Sequence, residues 1–431
     1  MPFETAVAQP RRIAIIGGGI SGLAAAHDLS RSHRVTLFEA EPRLGGHART
    51  VIAGKRGDQP VDTGFIVFNH ANYPNLTRLF AELDVPTAPS NMSFGVSMDD
   101  GRFEYALHGL DAVFATRRNA ADPRYWRFIR DILRFNARAG GMAQDPDLTI
   151  GGLIAALGLG TWFRDRYLLP FSGAIWSTPT RDILDFPAAA MLRFFENHRL
   201  LSYEGQHQWH TVQGGSIQYV QRLEALLRKR GVGIRLGSPV AGVKRGAGVV
   251  GVRSVGDQWE EFDHVIFATH SDQALALLAD ATPKETAALG AVRYQPNTAV
   301  LHADPSMMPR RRKCWASWVY VGDTRPGDTP IGLSYWMNSL QPIPMDDPLF
   351  VSLNPTRPIR EELIHDTVTF AHPMYDRAAM AGQAAVRGFN GARNTWFCGA
   401  WMRNGFHEDG FASALDVTHA LQGQLERMAA A

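Results

Sequence analysis

Hydrophobic and polar positions change rhythm several times along the chain. Ile13 to Ile16 is an unbroken apolar run between Arg12 and the glycines Gly17 to Gly19. A run that short and that rich in isoleucine predicts a buried strand. After Gly22 the segment LAAAHDLS consists of strong helix formers. RVTLFEA then returns to strand character, with Val35, Leu37 and Phe38 apolar. The predicted order is strand, glycine loop, helix, strand. In WHTVQGGSIQYVQRLEALLRKRGVGIRLGSPVAGVKR, Leu223, Leu226 and Leu227 form a helical stripe between a glycine turn and a hairpin-like piece. FDHVIFATHSDQALALL reads as strand, turn and helix. NTWFCGAWMRNGFHEDGFASALDVTHALQ predicts a strand ending at Gly399, a loop, and a helix from near Gly410.

The first glycine loop carries specific chemistry. Gly17, Gly19 and Gly22 fit G-x-G-x-x-G between a strand and a helix, with Ser21 in the same loop. The first glycine permits a sharp turn, the second a close approach of backbone to a pyrophosphate, the third tight helix–strand packing. The helix start offers free N–H groups and a positive dipole end to phosphates. Glu39, followed by Ala40, closes the second strand, about 20 residues on, where a carboxylate takes ribose hydroxyls. EPRLGGHART then adds a second glycine pair, Gly45 and Gly46, and VDTGFIVFN brings Thr63 and Gly64. A nicotinamide-binding unit has no need of that pair. An extended FAD does, because its ribityl and flavin run on past the first unit.

The E-x-x-x-R-x-G-G pattern followed by D-T-G-F resembles the flavin-containing amine oxidase and phytoene desaturase superfamily. The resemblance implies an α/β fold: a glutathione-reductase-like, Rossmann-type FAD domain interleaved with an α+β substrate domain. It implies that Glu39 holds the adenosine ribose and that Arg43, Gly45 and Gly46 line the phosphates and ribityl. Thr63, Gly64 and Phe65 would pass the isoalloxazine, Val240 would meet the adenine, and the turn at Thr269 would close over the nucleotide. Gly399, Asp409, Gly410 and Phe411 would bring the last helix to the flavin pyrimidine edge. The chain departs from the family pattern at His47, where an arginine usually follows the glycine pair, and at Glu41, where another arginine is usual. The implied FAD domain comprises residues 1–90, 206–290 and 386–431, and the substrate domain residues 91–205 and 291–385. The FAD is expected to be non-covalent.

Over nearly the whole chain the sequence is similar to a bacterial subgroup associated with cyclopropane-fatty-acyl-synthase-like methyltransferases. The segments RYLLPFSGAIWSTPTRDILDFPAAAMLRFFENHRLL, CWASWVY, YWMNSLQ and LFVSLNP carry that likeness. It implies desaturation of a methyl-branched fatty acyl chain, free or in phospholipid, by hydride transfer to flavin N5. A methyltransferase partner is implied too. Oxidation of a small amine, or a non-catalytic flavoprotein role, are the alternatives. An acyl reading asks for an apolar tunnel, for which Phe163, Tyr167, Phe171, Trp176, Phe194, Phe195, Trp315, Trp318, Tyr335 and Trp336 are candidates. His407 and Glu408, just before the last helix, are the candidate proton-moving pair.

Composition narrows the rest. Lys+Arg is 44 and Asp+Glu is 42, so a net charge of +2 gives no field that argues for nucleic acid. Two cysteines, Cys314 and Cys398, are too few for a disulfide framework or thiolate metal site and point to a reducing, cytoplasmic setting. MPFETAVAQP lacks a signal-peptide profile. The run from Thr149 to Phe163 is shorter than the ~20 residues of a membrane span. Peripheral membrane contact stays open through two basic, aromatic-rich places. One is Arg310 to Lys313 before CWASW, a phosphate anchor in that reading; the other is RRNAADPRYWRFIRDILRFNAR, helical in its second half.

Overall fold

The computed structural model describes residues 9–430 apart from 143–144, 146, 177–182, 198, 200, 202–204, 206 and 323–331. Its centre is a five-stranded parallel sheet in the order Gly233–Arg235, Arg34–Phe38, Arg12–Ile16, His264–Phe267, Thr395–Phe397. Three separate stretches of chain supply those strands. The unbroken apolar run at Ile13–Ile16 follows from burial on both faces. Ile13 and Ile15 enter one core cluster with the Ile20–Leu29 helix, whereas Ala14 and Ile16 enter another with Val265 and Phe267.

The second large element is a seven-stranded sheet. Its order is Ile364–Met374, Arg293–His302, Phe350–Leu353, Gly332–Trp336, Trp318–Gly322, Phe94–Met98, Phe103–Ala106. All its pairings are antiparallel except that of Trp318–Gly322 with Phe94–Met98. An apolar core that mixes aliphatic and aromatic side chains lies between this sheet and helices that include Pro123–Arg138 and Leu169–Trp176. Among the described residues, no helix is long and apolar enough to cross a membrane.

The structure corrects three sequence expectations. The hairpin expected after the Ile217–Lys229 helix does not form. Gly233–Arg235 joins the parallel sheet, and Val240–Arg245 opens a separate antiparallel sheet with Val250–Ser254 and Glu260–Phe262. Gly237, at φ +59°, and Pro239 turn the chain between the two. Chain packed on the parallel sheet resumes at the Arg377–Phe389 helix, before the expected 386. Ala379 and Val386 belong to that sheet's core, and Gly382 lets the helix approach Pro283–Gly290. The last helix begins at His407, one turn before the expected Gly410. Gly410 lies against the first helix, where a Cβ would meet Ser21 Oγ at 2.8 Å.

Candidate functional site

One continuous cavity of about 1650 Å³ runs from the C-terminal end of the parallel sheet to the face of the seven-stranded sheet. A site for one small molecule takes roughly 300–1,000 Å³, so this space suits a dinucleotide and a second ligand together.

Backbone builds the first end. Gly17 stands at φ +106°, where a Cβ would also press on Ala268 O at 2.8 Å. A Cβ on Gly22 would lie 1.8 Å from Gly17 O, so helix and loop close only over glycine. Gly19 differs: nothing lies within 4 Å of its missing Cβ, and it faces the cavity. Gly19 is also the N-cap of the Ile20–Leu29 helix and supplies no side-chain cap, so the first-turn N–H groups are left to a ligand. Glu39 is oriented by its own neighbours: Gly18 N–H donates to Oε2 at 2.6 Å and Glu41 N–H to Oε1 at 2.8 Å. The second glycine pair folds onto the first loop through Gly45 N–H to Gly18 O, 2.9 Å. These features fit a dinucleotide diphosphate and ribose.

Ser21, Ala40, Gly45, Gly46 and His47 line this end, as do Thr63, Gly64, Phe65, Val240, Thr269 and Gly399. The remaining cofactor candidates lie behind the wall. Gly22 packs as described. Arg43 pairs with Glu41 at 2.9 Å and donates to Gly46 O at 3.1 Å, stiffening the loop from outside. Asp409 accepts Phe406 N–H at 3.0 Å and holds the last helix's start; burial pushes its carboxyl up to about 6. Gly410 touches the first helix, and Phe411 is buried in the core.

His407 and Glu408 are not brought together. Consecutive helical positions point about 100° apart. The His407 ring lines the cavity, stacks on Phe65 with centroids 4.0 Å apart, and shares a 2.6 Å hydrogen bond with Tyr219 Oη through Nε2. Burial lowers it to about 3, so it is neutral at neutral pH. Glu408 turns the other way and caps the Pro74–Glu82 helix, accepting from Asn75 N, Asn75 Nδ2 and Leu76 N at 3.0, 2.6 and 3.0 Å. The expected proton-moving pair is therefore corrected to a cavity-wall imidazole and a helix cap.

Side chains build the second end. Tyr167, Phe171, Trp318 and Tyr335 line it, joined by residues that sequence reasoning passed over: Met92, Phe94, Tyr105, Ile132, Trp209 and Phe370. Their strands and helices are distant in sequence, so no local motif flags them. The helical spacing of Ile129, Ile132 and Leu133 was the one readable signal. Phe163 and Phe195 are core instead, packed on Phe135. Trp315 and Trp336 form a separate cluster with Phe350 and do not line the cavity. The side chains of Trp176 and Phe194 lie outside the described residues. Where the two ends meet, His47 stacks on Phe370 at 4.7 Å, with His372 and His270 at 5.6 and 6.4 Å. Burial lowers all three imidazoles.

The Arg310–Lys313 run is mostly engaged. Arg311 pairs with the buried Glu104 at 2.9 Å, Arg312 lies 3.6 Å over Trp315, and Lys313 pairs with Asp111 at 2.6 Å. These contacts tie strands and turns together at the run where a phosphate anchor is expected.

Behind the cavity wall, the buried Asp62 ties the Thr50–Ala53 strand, the start of the Ile217–Lys229 helix and Gln341 together. Its carboxylate accepts from Thr50 Oγ1 (2.6 Å), Ser216 N (2.8 Å), Ser216 Oγ (2.7 Å) and Gln341 Nε2 (2.9 Å). Burial still pushes it up to about 6.

The sequence model for flavin-containing amine oxidoreductases matches residues 20–313. The protoporphyrinogen oxidase of Bos taurus is 27% identical over 322 residues, 63% of this chain and 63% of that protein's length. Solved structures share the fold. A CLA-producing fatty acid isomerase from P. acnes superposes with a TM-score of 0.70 at 18% identity, over 95% of this chain and 98% of that one. A putrescine oxidase variant with redesigned cofactor binding gives 0.68 at 16%, over 96% and 99%.

Proposed function

The chain belongs to the flavin-containing amine oxidoreductase family, and from that premise we propose that it desaturates a methyl-branched fatty acyl chain. One observation carries the reading. Among the described residues lining the cavity, the only carboxylates are Glu39 and Glu41, at the dinucleotide end, and there is no lysine, arginine or aspartate. A charged amine or acid at the second end would stay unpaired at a cost of several kcal/mol. An uncharged, extended, apolar substrate suits these walls. The fold shared with a fatty acid isomerase supports the same substrate class.

Bound FAD supplies a two-electron acceptor for a hydride. The chain does the rest. The uncapped N–H groups of the first helix and the oriented Glu39 hold the dinucleotide. Tyr167, Phe171, Trp318, Tyr335 and Phe370 confine the acyl chain and exclude water, so that one C–H bond is presented at contact distance. His47, His270 and His372, where the two ends meet, are the side chains placed to take the proton lost with the hydride; burial keeps them neutral at rest and also weakens them as bases. Cys398 is fully buried and its thiol is pushed up to about 12, which fits non-covalent flavin. A methyltransferase that makes the branched chain is the partner this chemistry calls for.

Anaerobic mixing with methyl-branched acyl lipid should bleach the flavin and yield a product lighter by H₂ in mass spectrometry. An unbleached flavin with every such lipid, alongside bleaching by an amine, would overturn the proposal in favour of amine oxidation.

A further inference from the structure

The apolar end of the cavity reaches the surface between the Leu110–Val113 turn and the Pro123–Arg138 helix. Leu107, Leu110, Trp126 and Leu133 line the cavity there, yet stand 38%, 80%, 52% and 45% exposed. Apolar side chains gathered at the mouth of an apolar cavity form a patch that water disfavours, which marks an interaction surface.

The helix beside this mouth is sharply divided. Tyr125, Phe128 and Phe135 face the core. Trp126, Ile129 and Leu133, at i, i+3 and i+7, form the rim stripe. Arg130 and Arg134 stand on the next stripe round, with Arg127 and Arg138 beyond. Between Arg117 and Arg138 there are seven arginines and two aspartates, in a chain whose net charge is only +2. All seven arginines are exposed. Arg117 and Arg124 pair with Asp111 and Asp122. Arg127 and Arg130 come no nearer than 3.8 and 3.9 Å to the buried Asp131, which already accepts Gly160 N–H. Arg118, Arg134 and Arg138 have no ion pair among the described residues. The segment therefore combines an apolar stripe with an unneutralised cationic flank.

We propose that this rim docks on an anionic phospholipid surface. Trp126, Leu110 and Leu133 enter the headgroup–acyl boundary, and Arg118, Arg130, Arg134 and Arg138 meet lipid phosphates. The cavity mouth then opens into the acyl layer, so a chain enters without crossing water. The purpose of this docking rests on the acyl-chain reading above, but its measurement does not.

The test is co-sedimentation of the flavin-loaded full chain with vesicles of unbranched phosphatidylcholine, with and without one-third phosphatidylglycerol. Binding is expected to the anionic vesicles and to weaken as salt rises. Arg130→Glu with Arg134→Glu should weaken it at least about tenfold, by reversing two surface charges. Leu110→Ser with Trp126→Ser should weaken it comparably, with the flavin spectrum and melting temperature retained as evidence of folding. No binding to anionic vesicles, or binding that neither pair of substitutions alters, overturns the proposal. Turnover of a detergent-dispersed methyl ester of a methyl-branched fatty acid separates the two readings. Arg130→Glu with Arg134→Glu should leave it unchanged while abolishing turnover of vesicle lipid. Docking without turnover of any acyl substrate would remove the proposed reaction and leave the docking surface standing.

Discussion

The two ends of the cavity are built from opposite materials. The dinucleotide end is mostly main chain: glycines, a helix start with no side-chain cap, and one carboxylate held by two backbone N–H groups. The apolar end is almost all side chain, contributed by strands and helices far apart in sequence. A backbone site tolerates almost no added atom, because its shape is set by peptide geometry. A side-chain site can trade one ring for another and keep its volume, at a cost usually below about 1.5 kcal/mol. The first end is therefore suited to an invariant ligand and the second to a variable one.

The strongest way to break this contrast is Gly22→Ala. Its added carbon would sit 1.8 Å from Gly17 O, and the loop must open to admit it. The expected loss is about 3 kcal/mol or more of stability, the upper range for overpacking. The purified protein should also lack flavin colour. A stable yellow variant would show that the backbone end is more forgiving than its geometry implies.

Next in size is Asp62→Asn, which puts an amide N–H₂ where four donors converge. Loss of hydrogen bonds to a charged group predicts a drop of about 2–3 kcal/mol in denaturant unfolding. The pH profile adds a sign. Burial raises Asp62 from 3.8 to about 6, so the folded chain binds this proton more tightly than the unfolded one. Its contribution is full below the unfolded value and is lost as pH rises through about 6. The Asn variant should lack that decline; an unchanged profile would place the titration elsewhere.

The smallest effect sharpens the second end. Ile132→Trp narrows the apolar cavity and should shift kcat/KM toward shorter chains by about tenfold, within the range for a few methylenes. The flavin spectrum should not move. Trp336→Leu, in the separate cluster of Trp315 and Phe350, should leave chain-length preference as it was. If Trp336→Leu changes that preference and Ile132→Trp does not, the boundary of the substrate site has been drawn wrongly.

Legibility in the sequence follows the same division. Gly17, Gly19, Gly22 and Glu39 were readable because their roles depend on spacing within one strand–loop–helix unit. Trp315 and Trp336 misled because an aromatic residue looks the same whether it lines a cavity or a core. Register in the seven-stranded sheet decides the matter: Trp318 pairs with Tyr335 on the cavity side, while Trp336 falls on the opposite face. His407 and Glu408 were identified as a pair by adjacency, yet the helix begins at His407 and sends them to different neighbours.

By itself the sequence determined the parallel-strand unit and its glycine loop, because backbone conformation and short-range periodicity are local properties. Only the tertiary structure decided which aromatics face the cavity and which charges are already paired. It also showed where the apolar mouth opens, beside an arginine-lined helix. Those outcomes depend on contacts between separate elements, from neighbouring strands such as Trp318 and Tyr335 to residues as distant as Arg311 and Glu104, and a linear pattern does not carry them.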